Sequence, residues 1–118
     1  MKDDRLYLIH ISECIDRITQ YTVGGEADFK NSTLIQDAVI RNLQTLAESS
    51  QRVSSNLKAS HPDVPWRDIA GFRNVLVHQY LGIDLDYVWR VIADDIPVLN
   101  KWINVALQDL GKFGAPTN

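Results

Sequence analysis

Residues 66–84 read W-R-D-I-A-G-F-R-N-V-L-V-H-Q-Y-L-G-I-D, from Trp66 to Asp84, and this stretch decides the fold class. Pro65 stands directly before it, where the missing N–H costs a first helical turn nothing. Gly82 falls just past the apolar run, at the place where a left-handed residue commonly closes a helix. The stretch therefore predicts a helix from Trp66 to Tyr80. Gly71 inside that helix costs ~1 kcal/mol relative to alanine, which predicts close packing of another helix there.

Working outward, the same periodicity recurs three more times, and no segment sustains the alternation of a strand. Upstream, Ser60-His61-Pro62-Asp63-Val64-Pro65 reads as the main loop, with no evident partner for His61. Before it, Leu34, Ala38, Ile40, Leu43, Leu46, Ala47, Val53 and Leu57 mark the apolar face of a long second helix. Thr33 and Gln36 are spaced as its capping box, and polar Glu48-Ser49-Ser50-Gln51 predicts a bend or protrusion. In the first helix Tyr7, Ile11, Cys14, Ile18 and Tyr21 form a stripe widened by Leu8 and Ile15, until Val23-Gly24-Gly25 ends it. Downstream, Asp84 is placed to cap a fourth helix carrying Val88, Ile92, Leu99, Ile103, Ala106 and Leu110. Pro97 falls inside this helix and predicts a kink. Short connections between helices make antiparallel neighbours, so the expectation is an all-α antiparallel four-helix bundle with a long second helix and a proline-kinked last one. It forms a single domain over residues 1–113, with a frayed, flexible tail over 114–118.

Composition narrows the function classes. At 118 residues, 45% apolar and 23% charged, the chain fits one domain with its own core and leaves little room for a second. Its single cysteine, Cys14, sits on an apolar stripe and suits inert packing in a reducing, cytoplasmic setting. No leader-like or membrane-spanning apolar run is visible. Asp94-Asp95 reads as a solvated bend, because two carboxylates without a third ligand rarely hold a divalent ion. A net charge of −3 argues against wrapping long nucleic acids by bulk electrostatics.

Chemistry concentrates in Arg73-Asn74-Val75-Leu76-Val77-His78-Gln79-Tyr80, of the form R-N-x3-H-x-Y. On a helix, Asn74 and His78 lie one turn apart on the same face, while Arg73 and His78 sit about 140° apart and flank a groove with Asn74 between them. Histidine moves protons in either direction near neutrality. Arginine presents a fork that matches phosphate oxygens, and asparagine donates to phosphate or fixes a tautomer. These groups suit phosphodiester cleavage of RNA, whose own 2′-hydroxyl is the nucleophile, so no metal-activated water is required. A base and an acid are both wanted, and a two-fold dimer would supply the second histidine. R-x4-H alone is weak as a motif: Arg5 to His10 repeats it, and those two read as surface or dimer-face residues. The bland alternatives stay open at this level: Arg73 paired with Asp68 or Asp84, His78 as a C-terminal cap, Asn74 as a structural hydrogen-bonder, Tyr80 as a boundary side chain. Trp66, Trp89 and Trp102 read as packing anchors.

The longer run F-R-N-V-L-V-H-Q-Y-L-G-I-D, with Trp66 before it and Val88-Trp89 after it, resembles the HepT-like toxins of the HEPN superfamily. The likeness extends to Arg41-Asn42-Leu43 and Ile96-Pro97-Val98-Leu99. It implies a homodimeric bundle with a composite, metal-independent ribonuclease site of Arg73, Asn74 and His78 at the interface, acting on transfer or messenger RNA without a cofactor. It also implies a toxin–antitoxin pairing with a minimal nucleotidyltransferase antitoxin (MntA) and AMP transfer to Tyr80. A second reading keeps the fold and drops cleavage: a non-catalytic helical dimer that binds a nucleotide or docks a nucleotidyltransferase, motivated by the acidic charge.

Overall fold

The computed structural model describes residues 3–73, 82 and 84–113. All regular structure among them is helical: α1 (Asp3–Tyr21), α2 (Gly25–Lys30), α3 (Thr33–Arg52), α4 (Ser55–Ser60), α5 (Trp66–Gly71), α6 (Leu85–Arg90), a π-helical turn (Val91–Asp95) and α7 (Ile96–Phe113). The expected tail at 114–118 lies outside the described residues. No helix among them is long and apolar enough to cross a membrane.

The core is the set of stripes that helical spacing selects. Leu8, Ile11, Cys14, Ile15 and Ile18 of α1 are buried, as are Val39, Ile40, Leu43, Leu46 and Ala47 of α3. Leu99, Ile103 and Ala106 of α7 close the same core. Leu34, expected in it, is 79% exposed, because it lies in the first turn of α3, at the end of the stripe. Asp4 at the start of α1 accepts hydrogen bonds from Ser54 N–H (2.8 Å) and Oγ (2.6 Å), just past the end of α3. The start of one helix thus meets the end of the other, and α1 and α3 run antiparallel. Ile15 and Thr19, in the last half of α1, share a groove with Ile96 and Asn100 at the start of α7, so that pair is antiparallel too.

Several local expectations are corrected. Ser32, not Thr33, caps α3, its hydroxyl accepting from Ile35 N–H at 3.2 Å. Gln36 turns the other way: its buried amide donates to the carbonyls of Phe29 (3.0 Å) and Lys30 (3.1 Å), satisfying the orphan end of α2. That six-residue helix was invisible to periodicity because it spans under two turns. Replacing Gln36 by alanine removes the amide donor from both carbonyls, leaving Phe29 O only its bond from Ser32 N–H (3.4 Å), and is expected to cost about 1–3 kcal/mol, read by urea denaturation with the slope unchanged. The polar 48–51 stretch does not bend, since Ser49 and Ser50 are buried and the Ser50 hydroxyl donates to Ala47 O at 2.7 Å. The break comes later, at Val53–Ser54, where the Ser54 side chain caps α4 by accepting from Leu57 N–H. Val53 and Leu57 are buried as expected but lie beyond α3.

The expected kink at Pro97 takes the form of a π turn directly before it. Val88, Ile92 and Ile96 are all buried at spacings of four and four. In a 3.6-residue helix each such step drifts by about 40°, and a wider turn cancels the drift. It also sits where the proline ring would otherwise press on the carbonyl four residues back.

Candidate active site

Ile69 of α5 and Phe72, just past its end, are buried three residues apart, which fixes one face of the short helix in the core and leaves Arg67 and Ala70 outside. The close packing expected at Gly71 is not found: among the described residues nothing comes within 4 Å of where a β-carbon would sit. The helix expected from Trp66 to Tyr80 stops at Gly71, and the chain leaves it through a turn in which Arg73 N–H donates to Ala70 O at 3.4 Å; positions 74–80 lie outside the described residues. Arg73 is exposed and makes no ion pair among the described residues, so the pairings with Asp68 and Asp84 weighed from sequence are absent. Asn74, His78 and Tyr80 lie outside the described residues, and no geometry joins them to Arg73 here.

The far side of the motif is defined. Gly82 has φ +97°, the left-handed backbone expected there. The Asp84 carboxylate accepts from Tyr87 N–H at 3.0 Å and caps α6, as its sequence position predicted. Lys30 of α2 salt-bridges Glu26 (2.8 Å) and, across elements, Asp86 in the first turn of α6. Its ammonium is pushed up to about 12, chiefly by the hydrogen bond to Asp86. Phe29 and Trp89 reinforce the same junction, their rings 5.8 Å apart and tilted. The motif is therefore bracketed by two anchored helix ends.

Charge around this bracket is negative. Burial, then the Asp68 and Asp94 carboxylates, push the Asp95 carboxyl up; burial, then Asp95 and Asp68, push the Tyr87 phenol up. No cluster of three metal-ligating side chains occurs among the described residues. Burial likewise pushes the Cys14 thiol up, which leaves it poorly nucleophilic, as expected for core packing. Trp66, Trp89 and Trp102 are half-buried against the core. Arg5 and His10 are exposed on α1, the His10 ring edge-on to Tyr7 at 6.5 Å. Sequence reasoning missed His61, whose Nε2 lies 3.0 Å from Asp109 Oδ2. A contact across 48 positions leaves no local signal.

The family profile described as "Ribonuclease HepT-like" matches residues 11–106, a span that contains the whole R-N-x3-H-x-Y run. The chain belongs to the HepT-like ribonuclease family. Within it, the chain is 36% identical over 112 residues to a Methanocaldococcus jannaschii protein whose name joins gamma-glutamylcyclotransferase to a provisional RNase assignment. That match covers 94% of this chain and 50% of the longer relative. A Thermococcus cleftensis protein provisionally named ribonuclease HepT is 38% identical, over 79% of this chain and 86% of its own. The mRNA nuclease HepT of Shewanella oneidensis is 30% identical, over 80% of this chain and 89% of its own. No solved structure matches. HepT-like membership accords with the all-α bundle and places Arg73 in a ribonuclease family.

Proposed function

We propose that this HepT-like chain is the toxin of a toxin–antitoxin pair, an endoribonuclease that cuts RNA without a metal. The observation that carries the reading is Arg73: an exposed guanidinium at the exit of an anchored helix, followed in sequence by Asn74 and, five positions on from Arg73, by His78 within the family-matched span. His78 takes the proton of the 2′-hydroxyl, which attacks the adjacent phosphorus. The 5′-oxygen leaves with a proton from the second copy's histidine, giving a cyclic phosphate. Arg73 neutralises the charge gathered on the phosphoryl oxygens, and Asn74 donates to them. Two copies bring two such sets across a symmetry axis and double the local positive charge, which answers the net charge of −3. Messenger RNA is the first substrate to try, since one relative is named for it. The partner is a minimal nucleotidyltransferase of the MntA type, which neutralises the toxin by transferring AMP to Tyr80 and placing a negative phosphate beside the site.

The test is cleavage of messenger and transfer RNA by purified protein in excess EDTA. Cyclic-phosphate ends are the expected product. Absence of cleavage with and without added Mg2+ or Mn2+, together with tight binding of the nucleotidyltransferase, would instead establish the non-catalytic docking role that the acidic charge favours.

A further inference from the structure

His61 terminates α4, its N–H donating to the carbonyls of Leu57 (3.1 Å) and Lys58 (3.3 Å). Its own carbonyl accepts from the Trp66 indole N–H at 3.0 Å and from Val64 N–H at 3.2 Å. Its ring reaches the last helix, with Nε2 3.0 Å from Asp109 Oδ2 and Nδ1 3.4 Å from Leu57 O. The side chain is only 16% exposed. One residue thus joins the end of α4, the first residue of α5 and the C-terminal half of α7.

Trp66 starts the six-residue helix that ends two positions before Arg73. A helix so short has no independent stability, so its direction is set by what holds it: Ile69 and Phe72 in the core, and His61 at its start. Six residues span about 9 Å, and a pivot of about 6° at Trp66 therefore shifts the far end by about 1 Å. A displacement of that size costs a reaction on the order of 10²-fold when it misaligns a catalytic group.

We propose that the His61–Asp109 contact is a positioning clamp: it fixes the start of α5 against α7 and so sets where Arg73 stands. The catalytic half of this inference rests on the ribonuclease reading above. The clamp itself is read separately, by hydrogen exchange of the amides of Ile69, Phe72 and Arg73, each bonded within or at the end of α5. His61→Ala and Asp109→Ala are each expected to lower kcat by about 10- to 100-fold with KM within about twofold. Exchange at the three α5 amides should rise at least about tenfold, with Ile15 and Leu43 in the core unchanged. Asp109→Asn keeps an oxygen to accept from the ring and should restore most of kcat. The double alanine variant should fall no further than either single one, because both remove the same contact.

Wild-type kcat and exchange in both alanine variants would overturn the clamp. So would faster exchange spread evenly through α1 and α3, which marks a general loss of stability, or an Asp109→Asn protein no better than Asp109→Ala. If the wild-type chain cuts no RNA, the ribonuclease reading falls and the exchange pattern alone decides: acceleration confined to α5 upholds the clamp, and an unchanged or uniform pattern ends it.

Discussion

His78→Ala is expected to lose RNA cleavage by about 10³-fold or more while its helical circular dichroism stays that of the parent. One general acid or base contributes about 10²–10⁴-fold, and in a two-fold site a single substitution removes both proton-transfer groups at once. Arg73→Ala should lose a comparable amount, since an exposed guanidinium without an ion pair among the described residues has no evident structural duty to confuse the result. Arg73→Lys is the finer probe. It keeps the charge and loses the planar fork, so it should retain a small part of the activity. Cleavage at the parent rate in His78→Ala would remove the imidazole from the mechanism altogether.

The largest stability effect is expected at Asp4. Asp4 is 3% exposed and its carboxylate takes two hydrogen bonds from Ser54. Asp4→Ala leaves the Ser54 N–H without its acceptor, and hydrogen bonds to charged groups contribute about 1.5–3 kcal/mol. A loss of about 3 kcal/mol is the expected result by urea denaturation at neutral pH. Burial alone would push this carboxyl up; the hydrogen bonds from the Ser54 hydroxyl and backbone lead the opposing effects, and the net result lies below the usual carboxylate range. A folded value below the unfolded one, about 3.9, means the contribution is complete above pH ~4 and fades as pH falls through the folded value. The stability difference between parent and Asp4→Asn should therefore be level from about pH 5 upward and shrink in stronger acid. A difference that instead grew on acidification would exclude the proposed role of the ionised carboxylate.

Much of the bundle was legible because burial follows period. Leu8 to Ile18, Ile40 to Ala47 and Leu99 to Ala106 could be read from spacing alone, as could the Asp84 cap and the left-handed Gly82. What escaped was either too short for periodicity or too far apart in sequence for it. α2 spans under two turns, and its closure by Gln36 runs backward from a position that also fits a capping box. The Asp4–Ser54 and His61–Asp109 contacts join residues about fifty positions apart. Gly71 escaped for a different reason: a helical glycine signals close packing only when something arrives to use the space, and among the described residues nothing does. At the candidate site, residue chemistry named Arg73, Asn74, His78 and Tyr80, but a pattern as short as R-x4-H also occurs at Arg5 and His10. Of the two, only the Arg73–His78 pattern lies within residues 11–106, the span that matches the HepT-like family.

The π turn before Pro97 makes the residue count of the 91–95 stretch a structural quantity in its own right. Five residues at the wider pitch of a π turn carry the chain through about the same angle as four at about 100° each. Removing one residue there would therefore return the rod to a regular pitch and leave Leu99, Ile103 and Ala106 facing the core they now close. A single-residue gap aligned at 91–95 thus marks gain or loss of the wide turn with the phase of α7 kept, and not a repacked last helix.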